Sequence, residues 1–192
     1  MAIQEYKVAN SIEAIISAYS EPSRAYHNVV HIATMMQFIQ EHIPDEELLP
    51  ALDLATIYHD LVYDPKSSTN EEDSAELARN ALGATPLSSR VVGLILSTKR
   101  HIPADDTFES ALFIDADLAI LASKSDEYES YAFGIRQEYS FISEEDYRVG
   151  RTKVLQAFIE REHIYFNACC RETLEMPARR NIAEEITRLK SI

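Results

Sequence analysis

Glycine is nearly absent, at four residues in 192. Tight hairpins and left-handed turns draw on glycine, so a chain this poor in it suits helices joined by few tight turns. The apolar residues agree. They recur at steps of three and four, with no convincing alternation of the half-buried strand type. The spacing predicts a first helix through Ile12, Ile15, Ile16 and Tyr19, closed by Pro22, and a second from near Ser23 through Val29, Ile32, Met36, Ile39 and Ile43, closed by Pro44. A third starts at about Pro50 and runs through Leu52, Ala55, His59 and Val62. Thr69 and Glu72 form a capping-box pattern for a fourth, which ends at Gly83, and Thr85-Pro86 opens a fifth with Leu87, Val91, Leu94 and Thr98 on one face. A sixth carries Ala111, Leu112, Asp115, Leu118 and Ala119, two more follow Ser125 and Ser143, and a last follows Pro177. The expected fold is all-α: one helical bundle over residues 1–192, with a core of about 23–122 and C-terminal helices of about 125–192 packed on it.

Charge narrows the function classes. Eighteen Lys and Arg against thirty-two Asp and Glu leave a formal net charge of −14, which argues against sequence-independent binding to duplex nucleic acid. The longest apolar run, around Leu94 to Leu96, falls far short of the ~18 residues of a membrane span. Residues 1–7 show no basic flank leading into an apolar stretch, as a secretion signal would. A cytoplasmic protein without a membrane partner is expected, with a homodimer left open. The neighbouring Cys169 and Cys170 lack the spacing of a zinc site or a disulfide framework and read as reduced structural thiols.

Histidines and aspartates on apolar faces carry the chemistry. His27 and His31, four residues apart, would share one face of the second helix. Adjacent His59 and Asp60 diverge by about 100° on a helix. Yet Leu52, Ala55 and Val62 flank the first while Ile57 and Leu61 flank the second, so both lie in apolar surroundings. An unpaired buried carboxylate there costs several kcal/mol, roughly, which a metal ion would offset. Asp115 repeats the problem within Leu112-Phe113-Ile114-Asp115-Ala116-Asp117-Leu118, and Asp117, two residues on, would point elsewhere. Imidazole with carboxylate suits Mn, Fe, Co, Ni or Zn better than Ca. Satisfied core polar groups are the competing reading, with His101 as a mere partner of a helix C-terminus. The tyrosines of the C-terminal half, Tyr128, Tyr131, Tyr139, Tyr147 and Tyr165, read as helix packing rather than a stacking platform.

Histidine, then His-Asp, then a distant aspartate, all on helices, resembles the HD superfamily of metal-dependent phosphohydrolases, in particular a bacterial subgroup of predicted HD phosphohydrolases. The segments that carry the resemblance are Arg24-Ala25-Tyr26-His27-Asn28-Val29-Val30-His31-Ile32, Tyr58-His59-Asp60-Leu61-Val62-Tyr63-Asp64-Pro65, Asn70-Glu71-Glu72-Asp73-Ser74-Ala75, Phe113-Ile114-Asp115-Ala116-Asp117-Leu118 and Ile135-Arg136-Gln137-Glu138-Tyr139. The resemblance implies that His31, His59, Asp60 and Asp115 hold one divalent ion (Mn, Fe, Co, Ni, Zn or Mg). It implies hydrolysis of a phosphate ester, a nucleotide or another small phosphorylated metabolite, by attack of metal-bound water. His101, with His27 and Arg24, is carried as a second-metal ligand or phosphate contact. Among the groups expected to work on the substrate are Asp60, Glu72 as general acid and Lys99 against phosphate charge, with Arg136 and Arg151 as further phosphate candidates. The alternative is a metal-containing nucleotide-binding or regulatory module that does not turn its ligand over.

Overall fold

The computed structural model describes residues 11–191. The stretch read for a secretion signal, residues 1–7, lies outside them. Among the described residues there are nine α-helices and no strand, so the all-α expectation holds. They are α1 (Ile12–Tyr19), α2 (Val29–His42), α3 (Leu49–Tyr58), α4 (Asn70–Leu82), α5 (Pro86–Thr98), α6 (Phe108–Asp117), α7 (Ser125–Glu138), α8 (Glu144–Ile159) and α9 (Ala168–Lys190). None of them is long and apolar enough to cross a membrane.

Local chemistry explains most of the starts and stops. Ser11, Asn28, Thr85, Thr107 and Ser143 each accept a backbone N–H of the first turn through their side chains. Gly83 ends α4 at φ 68°, a left-handed conformation that strains other residues. Thr69 does not act as the expected cap; its hydroxyl bonds the Asp73 carboxylate instead, at 2.9 Å.

Three boundaries depart from the sequence expectation. α2 starts at Val29 rather than near Ser23, because Asn28 takes an extended conformation and caps it. His27 therefore sits in the turn before the helix rather than one turn below His31. α3 ends at Tyr58, so His59 and Asp60 lie at its C-terminus and beyond. α9 begins at Ala168 and keeps Pro177 inside it. The chain is pinned just ahead of that start by two carboxylates: Glu175 takes the N–H groups of Ile164 and Tyr165, and Asp115 those of Phe166 and Asn167. Pro177 then forgoes one intrahelical bond without ending the helix.

Helix α6 runs through the interior. Leu112, Phe113, Ile114, Asp115 and Ala116 are all buried, as expected of a helix surrounded on every side. α2 packs against it, α5 lies between it and α4, and α3 contacts α2, α4 and α5. Leu52, Ala55 and Ile95 are wholly buried in this set. Of the buried polar residues, His31, His59 and Asp115 leave from α2, the end of α3 and α6.

Candidate metal centre

The end of α3 solves the problem of adjacent His59 and Asp60. Because the helix stops at Tyr58, the two side chains need not diverge as they would inside it, and His59 Nε2 lies 3.1 Å from Asp60 Oδ2. His31, from the first turn of α2, brings its Nε2 to 3.3 Å from that of His59 and 3.9 Å from Asp60 Oδ2. The fourth group is Asp117, the last residue of α6. Its Oδ1 is 3.4 Å from His31 Nε2 and 3.9 Å from His59 Nε2. One atom each from His31, His59 and Asp60 falls within 4.8 Å of the others.

Both rings present Nε2 to the carboxylates. His59 Nδ1 is 2.9 Å from the Thr56 carbonyl, which can only accept, so Nδ1 carries a proton and Nε2 is the nitrogen turned toward Asp60. Two ring nitrogens and two carboxylates then lie together, and among the described residues no backbone N–H bonds either carboxylate. Nitrogen with carboxylate oxygen is the donor chemistry of first-row divalent ions, and His31, His59 and Asp60 lie close enough together to hold one. The charges inside the cluster support one another. Burial alone would lower the His59 pKa, but the neighbouring Asp60 and Asp117 hold it up at about 9. Burial would raise Asp60, yet the imidazoles of His59, His27 and His31 bring it well below the usual carboxylate range. Asp117 is lowered in the same way, by His31, His101 and His59 against its own burial.

Asp115 is corrected. Its carboxylate accepts from the backbone N–H of Phe166 at 2.7 Å and of Asn167 at 2.9 Å, and from Asn167 Nδ2 at 3.0 Å. It faces the start of α9, and Asp117 takes the place expected for it. Arg24 is corrected too. Its guanidinium is buried and donates to the carbonyls of Asp60 at 2.6 Å, Leu61 at 2.9 Å and His27 at 3.3 Å. It fixes the loop that carries the ligands through its two terminal nitrogens, while its Nε is buried with no hydrogen-bond partner among the described residues. Glu72 and Lys99 pair with each other, and Lys99 also donates to the Ser68 carbonyl at 2.8 Å. Among the described residues, no hydrogen bond or ion pair joins either of them to the cluster. Arg136 is tied to Glu144 at 2.9 Å and Arg151 to Glu185 at 2.8 Å.

His27 and His101 flank the cluster. His27 Nδ1 is 2.6 Å from Glu138 Oε2, which also accepts from the Tyr63 hydroxyl, while Glu138 Oε1 takes the backbone N–H groups of Tyr26 and His27. Glu138 therefore fixes the ring and leaves Nε2 free. Nothing local marked it, because its bonds reach across 75 to 112 residues of chain. His101 sits at φ 48°, a strained backbone for a histidine, held by Arg161 donating to its carbonyl at 2.8 Å. Its Nε2 is 3.6 Å from Asp117 Oδ2, so Asp117 faces the cluster with one oxygen and His101 with the other.

A cavity of about 370 Å³ has His27, His101 and Asp117 in its lining. Tyr26, Tyr131, Tyr139 and Tyr147 line it as well. The C-terminal tyrosines pack as expected, and Tyr131, Tyr139 and Tyr147 also border this cavity. Tyr128 is buried on Glu185 at 2.6 Å and Tyr165 on the Leu118 carbonyl at 3.0 Å.

Comparison with models of known protein families, with curated proteins and with solved structures finds no match for this chain.

Proposed function

We propose that the protein is a metal-dependent phosphohydrolase of the HD type, acting on a small phosphate ester. The observation that carries this reading is the convergence of the ring nitrogens of His31 and His59 with the carboxylates of Asp60 and Asp117 beside a cavity. Nitrogen and carboxylate oxygen gathered this closely are the donor set of a divalent transition ion. A divalent ion held there supplies Lewis acidity toward a phosphoryl oxygen and lowers the pKa of a water.

The remaining work falls to the chain. Asp60 and Asp117 bring negative charge that balances the ion, and Arg24 holds the Asp60 backbone in place through its carbonyl. His27, oriented by Glu138, keeps Nε2 available to hold or pass a proton next to the cavity. Its pKa suits that role, because Asp60 and Glu138 raise it above the ordinary histidine value against the opposing effect of burial. His101 is opposite in sense, pushed down by burial, and remains neutral.

Elemental analysis of protein purified without chelators, for wild type and His59→Ala, tests the reading when joined to a phosphate-release assay on small phosphate esters. The expected result is roughly one or two equivalents of a transition metal, lost with turnover in the variant. Wild type that takes up no Mn, Fe, Co, Ni, Zn or Mg, or phosphate release undiminished in His59→Ala, overturns it.

A further inference from the structure

The cavity beside the cluster has a chemistry of its own. Ile142, Val154 and Phe158 join the tyrosines in its wall, and the arginine there, Arg151, is already paired. Its guanidinium lies 2.8 and 3.1 Å from the Glu185 carboxylate and 5.1 Å from the centre of the Tyr131 ring. A second phosphate or other anion placed there would meet apolar surface and an arginine whose charge is already balanced. The wall is not purely greasy either. Among the described residues, no hydrogen bond engages the hydroxyls of Tyr26, Tyr139 and Tyr147. Aromatic faces with spare hydroxyls suit a flat uncharged ring that has polar atoms on its rim.

Gly150 points the same way. It lies in the interior of α8, where glycine costs helix stability, and it has no backbone reason to be there. A Cβ built on it meets nothing within 4 Å, and its φ is not in the left-handed range. Gly134, by contrast, is explained by packing, since its Cβ would come within 3.2 Å of Tyr26 Cβ. Gly150 is exposed, and it joins the lining of the cavity. Its missing side chain keeps that space open.

We propose that this cavity holds the uncharged heteroaromatic part of the substrate while its phosphate sits at the His–Asp cluster, and that Gly150 is a specificity-determining residue that sets the room available. The assignment rests on the phosphohydrolase reading for the position of the phosphate, but the pocket can be tested without it. Adenosine and uridine, which carry no phosphate, are titrated calorimetrically into the protein as purified, with cyclohexanol as an apolar non-aromatic probe. Gly150→Phe fills the space from a helix that gains propensity, and Val154→Trp fills it from another position should the first variant not fold.

Saturable one-to-one binding of at least one nucleoside, weakened about tenfold or more in the folded filling variant and about tenfold or more tighter than cyclohexanol, is the expected result. No saturable nucleoside binding, undiminished affinity in the filled variant, or cyclohexanol binding as tightly as the nucleosides overturns the assignment. Metal retained with no nucleoside binding removes the pocket proposal and leaves the metal centre standing. Nucleoside bound with no metal retained does the reverse.

Discussion

Asp115 and Asp117 leave the same buried helix two residues apart and meet opposite company. Asp115 has no exposed surface and is closed by three donors, two of them backbone N–H groups at the start of α9. Asp117 has no such donors; its two oxygens face the ring nitrogens of His31 and His101. Both are carboxylates taken from water, so burial does not separate structure from site. What separates them is whether the fold itself completes the hydrogen-bonding set. Asp115 joins α6 to α9 and is finished. Among the described residues, Asp117 meets only imidazoles, the partners it would share with a metal ion.

Removing each carboxylate should therefore break different things. Asp115→Ala leaves two N–H groups and an amide unpaired in the interior, which costs about 3 kcal/mol of stability. Chemical denaturation reads the loss, with metal content at the wild-type level. An Asp115→Ala protein of unchanged stability that has lost its metal would invert the comparison. Asp117→Ala is expected to weaken metal affinity by about 100-fold, or about 2.7 kcal/mol, and turnover with it. Competition against a chelator measures this. Stability of the metal-stripped protein should fall by only about 1 kcal/mol, since Asp117 is paired with the His31 ring and with no backbone N–H among the described residues.

The difference between the two aspartates was out of reach of the sequence for a physical reason. Their apolar neighbours are shared, and the groups that distinguish them lie far along the chain: Phe166 and Asn167 for one, His31 for the other. Helix content was legible because period and punctuation are local. Thr85-Pro86 and Ser143 mark starts that the structure keeps. His31, His59 and Asp60 were legible too, as polar groups the apolar pattern could not explain. The start of α2 was not, because the turn from Ser23 to Asn28 is held by Arg24 and by Glu138 of α7. Glu138 itself sits in a segment already singled out, yet only its long-range bonds reveal what it does.

Glu138→Gln sharpens the comparison from the side of the cluster that the ligands do not occupy. The amide keeps the size of the side chain and loses the charge beside His27. Metal content should stay at the wild-type level while turnover falls by about tenfold. The pH profile carries the specific signature. Burial lowers the His27 pKa, and Asp60 and Glu138 lift it. Without the Glu138 charge the folded pKa falls, so His27 loses its proton at lower pH and the limb assigned to it moves toward acid. A drop in turnover with an unmoved pH profile would reduce Glu138 to a packing residue.

Lys99→Ala should have the smallest effect, and it sets the outer limit of the site. Lys99 is substantially exposed and is spent on Glu72 and on the Ser68 carbonyl between the start of α4 and the end of α5. Exposed pairs of this kind contribute about 0–1 kcal/mol, because solvent screens the attraction and two flexible side chains must be held still. Lys99→Ala is therefore expected to leave metal content unchanged, turnover within about twofold and stability within that range. Glu72, relieved of its partner, would remain an ordinary surface carboxylate at a helix N-terminus, where the dipole already favours its charge. If turnover instead fell by about 100-fold, the transition state would be losing roughly 2.7 kcal/mol. That is more than a surface pair can carry, and α4 and the end of α5 would then belong to the wall that the phosphate meets.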